Sequence, residues 1–497
     1  MFTKVLIANR GEIACRVIRA LRELQVASVA VHSEADARSK HVRMADEAVL
    51  IGPAPSAESY LLVDKIMAAA HRTGAQAIHP GYGFLSESVL LRDGCEAAGL
   101  TFIGPSSHAM REMGAKTRAR QVMQAAGVPI VPGSTEASAN GQEGLAVANA
   151  IGFPVLLKAS AGGGGKGMRL VETPDAFVEA FDACSREALA SFGDGAVYME
   201  RAIIKPRHIE VQVLADSHGN VVHVFERECS VQRRHQKVVE EAPAANLSDD
   251  TRRKMGEVAI AAARAIGYEN AGTIEFLADQ DENFYFLEMN TRLQVEHPVS
   301  ELISGVDLVR SQIRIAAGEP LSFTQADLTR RGHAIECRLY AEDPYGGFVP
   351  SPGPLTRYRP PAGPGIRVDD GVDEGDVVST HYDPMIAKMC AWAEDRPSAI
   401  ARMRAALKDL RVAGIKTNRQ FLDQILVEPA FVAGQYATDL ISTMDMEPPE
   451  IGTDRCVSMA AVAAIVAARR EARRRIQVTP PESAWAQFGR AEGLMRS

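Results

Sequence analysis

Two short runs between residues 272 and 289 constrain the fold most. Gly272-Thr273-Ile274-Glu275-Phe276-Leu277 is strand-like, 278–282 is polar turn material, and 283–289 alternates and is rich in aromatics. Folded as a hairpin centred between Asp281 and Glu282, the two runs set Glu275 opposite Glu288. Directly opposed side chains sit roughly 5 Å apart at Cβ. Two carboxylates that close repel, and a cation between them is the simple resolution. The second run continues Glu288-Met289-Asn290-Thr291-Arg292-Leu293-Gln294-Val295-Glu296-His297. Side chains two apart on a strand share a face, so Glu288, Asn290 and Arg292 point the same way if the strand persists that far. Glu275, Glu288 and Asn290 then form one oxygen cluster beside a guanidinium. Oxygen-only donors without nearby Cys favour magnesium or manganese over zinc, and the arginine suits a second anion. A solvated strand face offers the same residues without any of this chemistry.

Upstream, residues 153–159 form an apolar strand-like run that enters Ser160-Ala161-Gly162-Gly163-Gly164-Gly165-Lys166-Gly167. Consecutive glycines let backbone N–H groups close on phosphate oxygens, and Lys166 adds charge. Gly162, Gly164 and Gly167 also satisfy Gly-x-Gly-x-x-Gly, but 168–172 reads as a strand where a dinucleotide fold needs a helix. No Gly-Lys-Ser/Thr follows, which excludes a Walker A loop. Strands on both sides favour a phosphate-covering flap over a surface linker. A third cluster, residues 226–237, sets Gln232, His235 and Lys237 among arginines between two apolar runs. Such a run is usually a solvated face, though this mixture also suits anion handling.

A length of 497 implies roughly two to four domains. The net charge of −8 makes nucleic acid an improbable main partner. The seven cysteines are odd in number and scattered without Cys-x-x-Cys, which indicates a reducing, cytoplasmic compartment and excludes a zinc knuckle or disulfide framework. No apolar stretch approaches the roughly 20 residues of a membrane span. The first residues read as a strand, too short for a signal peptide.

Along the chain, 4–8, 27–32 and 75–79 read as strands, with helices at 11–24 and 60–72: a parallel α/β unit. Helices are expected at 116–126, 248–266, 306–317 and 398–410, with strands dominating 130–330. Residues 350–364 are Pro/Gly-rich loop. Beyond 446 the composition shifts to Ala, Arg and Pro, and 459–468 reads as an apolar helix followed by Arg473-Arg474-Arg475.

Taken together, these motifs resemble the biotin carboxylases, the ATP-grasp components of acetyl-CoA, acyl-CoA and pyruvate carboxylases. The resemblance is carried by Ile7-Ala8-Asn9-Arg10-Gly11-Glu12-Ile13-Ala14, by His79-Pro80-Gly81-Tyr82-Gly83-Phe84-Leu85-Ser86-Glu87 and by the tetraglycine loop. It continues through 232–241, 288–298 and Arg331-Gly332-His333-Ala334-Ile335-Glu336-Cys337-Arg338. It implies an α/β and α+β multidomain fold. An N-terminal Rossmann-like α/β domain (1–115) precedes an ATP-grasp core (116–330) with a glycine-rich lid at about 131–203. A C-terminal biotin carboxylase domain (331–445) follows, and 446–497 is an appendage or linker.

The resemblance also implies roles. Lys116, Lys158, Gly164, Gly165, Lys166, Glu200, Ile203, His208, Gln232 and His235 match nucleotide-binding positions, with Lys166 standing where many relatives have Arg. Glu275, Glu288 and Asn290 match metal ligands. Lys237, Arg292, Gln294, Val295 and Glu296 match the bicarbonate site, Arg338 the residue facing the biotin ureido oxygen, and Tyr82 lies beside it. The implied reaction is the ATP- and Mg²⁺- or Mn²⁺-dependent carboxylation of biotin by bicarbonate, the first half-reaction of an acetyl- or acyl-CoA carboxylase such as serves fatty acid synthesis. Glu296 is then the general base. Biotin is carried on Lys in an Ala/Val-Met-Lys-Met context, whereas this sequence offers only Ala387-Lys388-Met389. The carrier is therefore expected on a separate biotin carboxyl carrier protein or biotinyl domain, beside a carboxyltransferase subunit, or else the tail is the start of a linker whose remainder is absent. The chain is expected to form a homodimer. Two alternatives stand: another ATP-grasp carboxylate–amine ligase, and a non-catalytic nucleotide-binding subunit of a carboxylase complex.

Overall fold

Short apolar strands separated by amphipathic helices build a parallel five-stranded sheet in the computed structural model. Its order is Glu47–Gly52, Ala27–Ser33, Lys4–Ile7, Ala77–His79 and Thr101–Phe102. Parallel sheets need cover on both faces, which is why these strands are apolar runs. Helix Gly11–Glu23 supplies one cover, burying Ile13, Ala14, Val17, Ile18 and Leu21 at helical spacing. The structure describes residues 1–134, 137–159, 168–448, 461–469, 471 and 488, apart from the side chains of Lys116, Thr117 and Phe192.

A smaller antiparallel sheet follows, in the order Met168–Val171, Val155–Ala159, Val197–Arg201. Helices Gly141–Ile151 and Phe177–Phe192 pack on it over a core that includes Val155, Leu157, Phe181 and Met199. The glycine stretch that links its first two strands in sequence, with Gly164, Gly165 and Lys166, lies outside the described residues.

The largest sheet has eight antiparallel strands. They run Phe284–Asn290, Asn270–Ala278, Arg207–Ala215, Val221–Arg233, Gln236–Ala242, His333–Tyr340, Met385–Ala393 and Ile366–Asp370. Ladder hydrogen bonds between Gln236–Ala242 and His333–Tyr340 carry the sheet continuously across residue 330. Helix Asp249–Ala265, capped by the Ser248 hydroxyl, covers a core of Ile209, Val211, Val213, Met255, Ile274 and Phe276. Residues 1–445 form one compact unit. In the segment beyond it, residues 461–469 are helical with Val462, Ile465 and Val466 exposed. Among the described residues, no helix is long and apolar enough to cross a membrane.

Candidate active site

The hairpin register sets Glu275 opposite Glu288 and Thr273 opposite Asn290. Nearer the turn, Phe276 faces Phe286, so a bulge at Leu287 shifts the ladder by one residue. Glu275 is buried and Glu288 is exposed. The strand ends at Asn290, so Arg292 does not share its face as the alternation predicts. Arg292 reaches the cluster from the following turn. Its Nη2 donates to Asn290 Oδ1 at 2.9 Å and its Nε to Glu87 Oε2 at 3.0 Å.

Cross-strand pairing extends this line over four strands, from Glu288 to Glu275, to Glu210, to Arg227. Three carboxylates in a row need cations, and two arrive. Lys237 Nζ donates to Glu210 Oε2 at 2.6 Å, Glu275 Oε1 at 2.8 Å and Glu296 Oε1 at 2.6 Å. Arg227 is fully buried and bonds Glu210, Gln212 at 2.8 Å, Ser300 at 3.0 Å, Thr273 at 3.1 Å and Gln294 at 2.7 Å. Its planar fork uses its donors in fixed directions, which fixes the Gln294 amide. Gln294 Nε2 then donates to Glu275 Oε1 at 2.6 Å.

Glu296 follows the turn and precedes helix His297–Ser304. Lys237 holds one of its oxygens, and Arg338 Nη2 holds the other at 3.0 Å. Arg338 Nε donates to Glu240 Oε1 at 2.6 Å. Burial pushes the Glu296 carboxyl up, but Lys237, Arg338 and Arg227 outweigh it and hold it below the ordinary range. Glu275 is held well below that range in the same way, burial being outweighed by Lys237 and His208. For Glu240 burial wins over Arg338, and its carboxyl rises to about 7.

A cavity of about 540 Å³ opens beside this centre, lined by Arg338, Arg292, Val295, Gln236, Tyr82 and Tyr340 among others. That volume suits a small-molecule site, roughly 300–1,000 Å³. On the other side, His208 Nδ1 lies 2.9 Å from Gln232 Nε2, and its Nε2 lies 3.1 Å from Glu275 Oε2. Lys158 and Arg120 both pair with Glu200 on the smaller sheet. Ile203, half-buried, follows that sheet's last strand. Arg234 and His235 occupy a tight turn at φ 48° and 66° between the strands that bear Gln232 and Lys237. Lys116 begins helix Lys116–Ala125, but its side chain is outside the described residues.

Glu275 and Glu288 pair across the open end of the hairpin, while the Asn290 amide donates from Nδ2 to Glu275 Oε1 at 2.8 Å and its Oδ1 accepts from Arg292. Two carboxylates and an amide are a donor set that fits a hard divalent cation. His208, Glu210 and Glu275 also bring ligand atoms within 4.8 Å of one another. There Lys237 already bonds both carboxylates, which disfavours a second cation. Sequence reasoning missed Glu87, Arg227 and Glu240. All three lie inside stretches singled out by sequence, Glu87 in 79–87, Arg227 in 226–237 and Glu240 in 232–241, but nothing in the spacing marked them individually.

Residues 1–110 match the family model described as biotin carboxylase, N-terminal domain. Residues 115–324 match the carbamoyl-phosphate synthase L chain, ATP binding domain, and 336–443 the biotin carboxylase C-terminal domain. The chain is 53% identical to the propionyl-CoA carboxylase alpha chain of Ruegeria pomeroyi, covering 89% of this chain and 68% of that one. It spans 60–68% of the carboxylase alpha chains it matches. It is 52% identical to a biotin carboxylase of a Nostoc species, over 89% of this chain and 99% of the relative. The biotin carboxylase domain dimer of 2-oxoglutarate carboxylase from Hydrogenobacter thermophilus was solved with MgADP, ADP and bicarbonate. It superposes with a TM-score of 0.82 at 48% identity, covering 89% of this chain and 97% of that one.

Proposed function

The chain belongs to the biotin carboxylase family, and from that premise we propose how its residues divide the carboxylation of biotin by bicarbonate and ATP. The observation that carries the proposal is the convergence of Lys237 and Arg338 on the two oxygens of Glu296. One carboxylate flanked by two cations, beside a cavity, suits an anion that must lose a proton.

Lys237 and Arg292 bind bicarbonate and offset its growing charge, while Gln294 and Val295 shape the pocket. Glu296 takes its proton. The freed oxygen attacks the γ-phosphorus of ATP, ADP leaves, and carboxyphosphate forms. It breaks into carbon dioxide and inorganic phosphate. The phosphate takes the ureido N–H proton and the nitrogen of biotin bonds the carbon dioxide, the biotin ureido oxygen facing Arg338, with Tyr82 on the cavity wall. Lys158, Glu200, Ile203, His208, Gln232 and His235 form the nucleotide side, with Lys116, Gly164, Gly165 and Lys166. Glu275, Glu288 and Asn290 would hold magnesium or manganese, which when bound neutralises the ATP phosphates.

The biotin is presented by a carrier protein or biotinyl domain, and the product goes to a carboxyltransferase. We place the chain in the cytoplasm as a homodimer. A carboxylate–amine ligase would need the hairpin and the glycine loop but not a base gripped by Lys237 and Arg338. The test is ATP cleavage by the purified chain with bicarbonate and free biotin added singly and together. Stimulation by both is expected. Phosphate release indifferent to both, in a folded sample, rejects the proposal.

A further inference from the structure

Lys388 lies on strand Met385–Ala393 with none of its surface exposed. Burying an ammonium is strongly unfavourable unless partners compensate. Its Nζ donates to the Val295 carbonyl at 2.7 Å and lies 3.3 Å from Glu12 Oε1. Across the sheet it stands opposite Arg338 on one side and Asp369 on the other. Glu12 accepts a hydrogen bond from the Tyr82 hydroxyl, and the Tyr82 ring lies 5.7 Å from the ammonium. The backbone fixes Glu12 as well. A Cβ at Gly371 would lie 2.5 Å from the Glu12 nitrogen, so only glycine fits there.

The Val295 carbonyl sits between two side chains that reach different partners. Gln294 goes to Arg227 and Glu275, and Glu296 to Lys237 and Arg338. Rotation of the intervening peptide would move both. A misplacement of about 1 Å at such a point costs on the order of 10²-fold in rate.

We propose that Lys388 is a positioning residue: its ammonium fixes the Val295 carbonyl so that Gln294 and Glu296 stay aimed at the anion site, while Glu12 supplies the countercharge and links this support to Tyr82 on the cavity wall. The proposal rests on the biotin carboxylase reading. A lysine kept only to neutralise Glu12 would not need the carbonyl. Replacing a whole buried ion pair by uncharged residues is often neutral for stability, whereas removing one partner is not. Two variants therefore separate positioning from neutralisation.

The experiment measures bicarbonate-dependent ATP cleavage with free biotin on the full chain. Wild type, Lys388→Met and Glu12→Gln/Lys388→Met are compared, with Tm recorded for each. Lys388→Met is expected to raise KM for bicarbonate about tenfold or more and to lower kcat by about 10²-fold, with KM for ATP little changed. The double variant should regain the wild-type Tm yet keep the bicarbonate defect, because the carbonyl still lacks its donor. Recovery of Tm and bicarbonate KM together overturns the proposal, as does a folded Lys388→Met with wild-type bicarbonate KM. A wild-type chain without bicarbonate-dependent cleavage overturns the biotin carboxylase reading instead.

Discussion

Lys237 Nζ donates to Glu296 Oε1 at 2.6 Å. The carboxylate proposed as base is thus ion-paired, and Arg338 holds its other oxygen at 3.0 Å. A base held below the ordinary range accepts protons weakly, since efficiency follows basicity. An arriving anion changes this. It competes for Lys237 and disfavours charge on Glu296, which strengthens the hold of Glu296 on a proton. The site is therefore a weak base without bicarbonate and a better one with it.

Glu296→Gln keeps the shape and loses the basicity. It is expected to lower carboxylation by roughly 10²–10⁴-fold, the usual worth of a positioned base. KM for ATP should change little, because Lys158 and Glu200 lie on the smaller sheet. Near wild-type carboxylation at neutral pH would remove Glu296 as base. The role would then pass to Glu210, which shares Lys237 with Glu296, or to a bound water.

Arg338 bonds Glu240 as well as Glu296. Arg338→Ala therefore strips countercharge from two carboxylates. The biotin-dependent step is expected to fall about 10²–10³-fold, the cost of one lost donor to a developing oxyanion. Bicarbonate-dependent ATP cleavage should fall less. Removing a nearby cation raises a carboxylate pKa, so its acid limb should move to higher pH. Equal losses in the two assays would deny Arg338 a separate role.

The elements were legible because periodicity is local. Strand Ala27–Ser33 and helix Gly11–Glu23 lie within a residue of where alternation and helical spacing put them. The Glu275–Glu288 pairing came out correctly for a partly wrong reason. A symmetric turn predicts it, but the ladder reaches it through the bulge at Leu287. Long-range contacts left no periodic trace. Arg292 meets Glu87 across 205 residues, and nothing in either neighbourhood encodes that distance. The resemblance gave Arg338 and Glu296 separate roles, and neither it nor the spacing foretold that Arg338 grips Glu296.

The two hairpin acids should respond differently. Glu275 accepts from Lys237, Gln294 and Asn290, so Glu275→Gln breaks up a buried hydrogen-bond network and should cost about 1–3 kcal/mol of stability, with Lys237 still paired to Glu210 and Glu296. Glu288 is exposed, so Glu288→Gln should keep the wild-type Tm. It should still raise the magnesium concentration for half-maximal rate by about tenfold or more. Metal titrations beside thermal scans check both. An unchanged metal requirement in Glu288→Gln would dismiss the hairpin as the metal site.

The segment after 445 should matter for partners and not for chemistry. Its helix exposes Val462, Ile465 and Val466 at helical spacing. A chain ending at residue 445 is expected to keep bicarbonate-dependent ATP cleavage and to lose carrier binding. Lost cleavage with intact carrier binding would reverse the assignment.

Acid should expose a different support, away from the site. Glu241 is fully buried and bonded by His333 at 2.6 Å, by Arg396 at 2.7 and 3.0 Å, and by the Tyr436 hydroxyl. Arg396 also donates to the carbonyls of Phe431 at 2.7 Å and Val432 at 2.9 Å, so Glu241 anchors the end of the C-terminal region. Burial pushes its carboxyl up, but His333 and Arg396 outweigh it and bring it from 4.5 down to about 2. The folded state then binds fewer protons than the unfolded one in that window, so this contribution to stability is complete above pH 4.5 and disappears as pH falls through 2. Glu241→Gln removes it at every pH. At neutral pH the variant should be less stable by about 1–3 kcal/mol, since the half-buried Arg396 guanidinium loses its carboxylate partner. The gap between wild type and variant should stay level down to pH 4.5 and then narrow toward pH 2. Denaturant unfolding of both chains across that range measures it directly, and a gap that is constant to pH 2 would mean that Glu241 is not ionised in the fold.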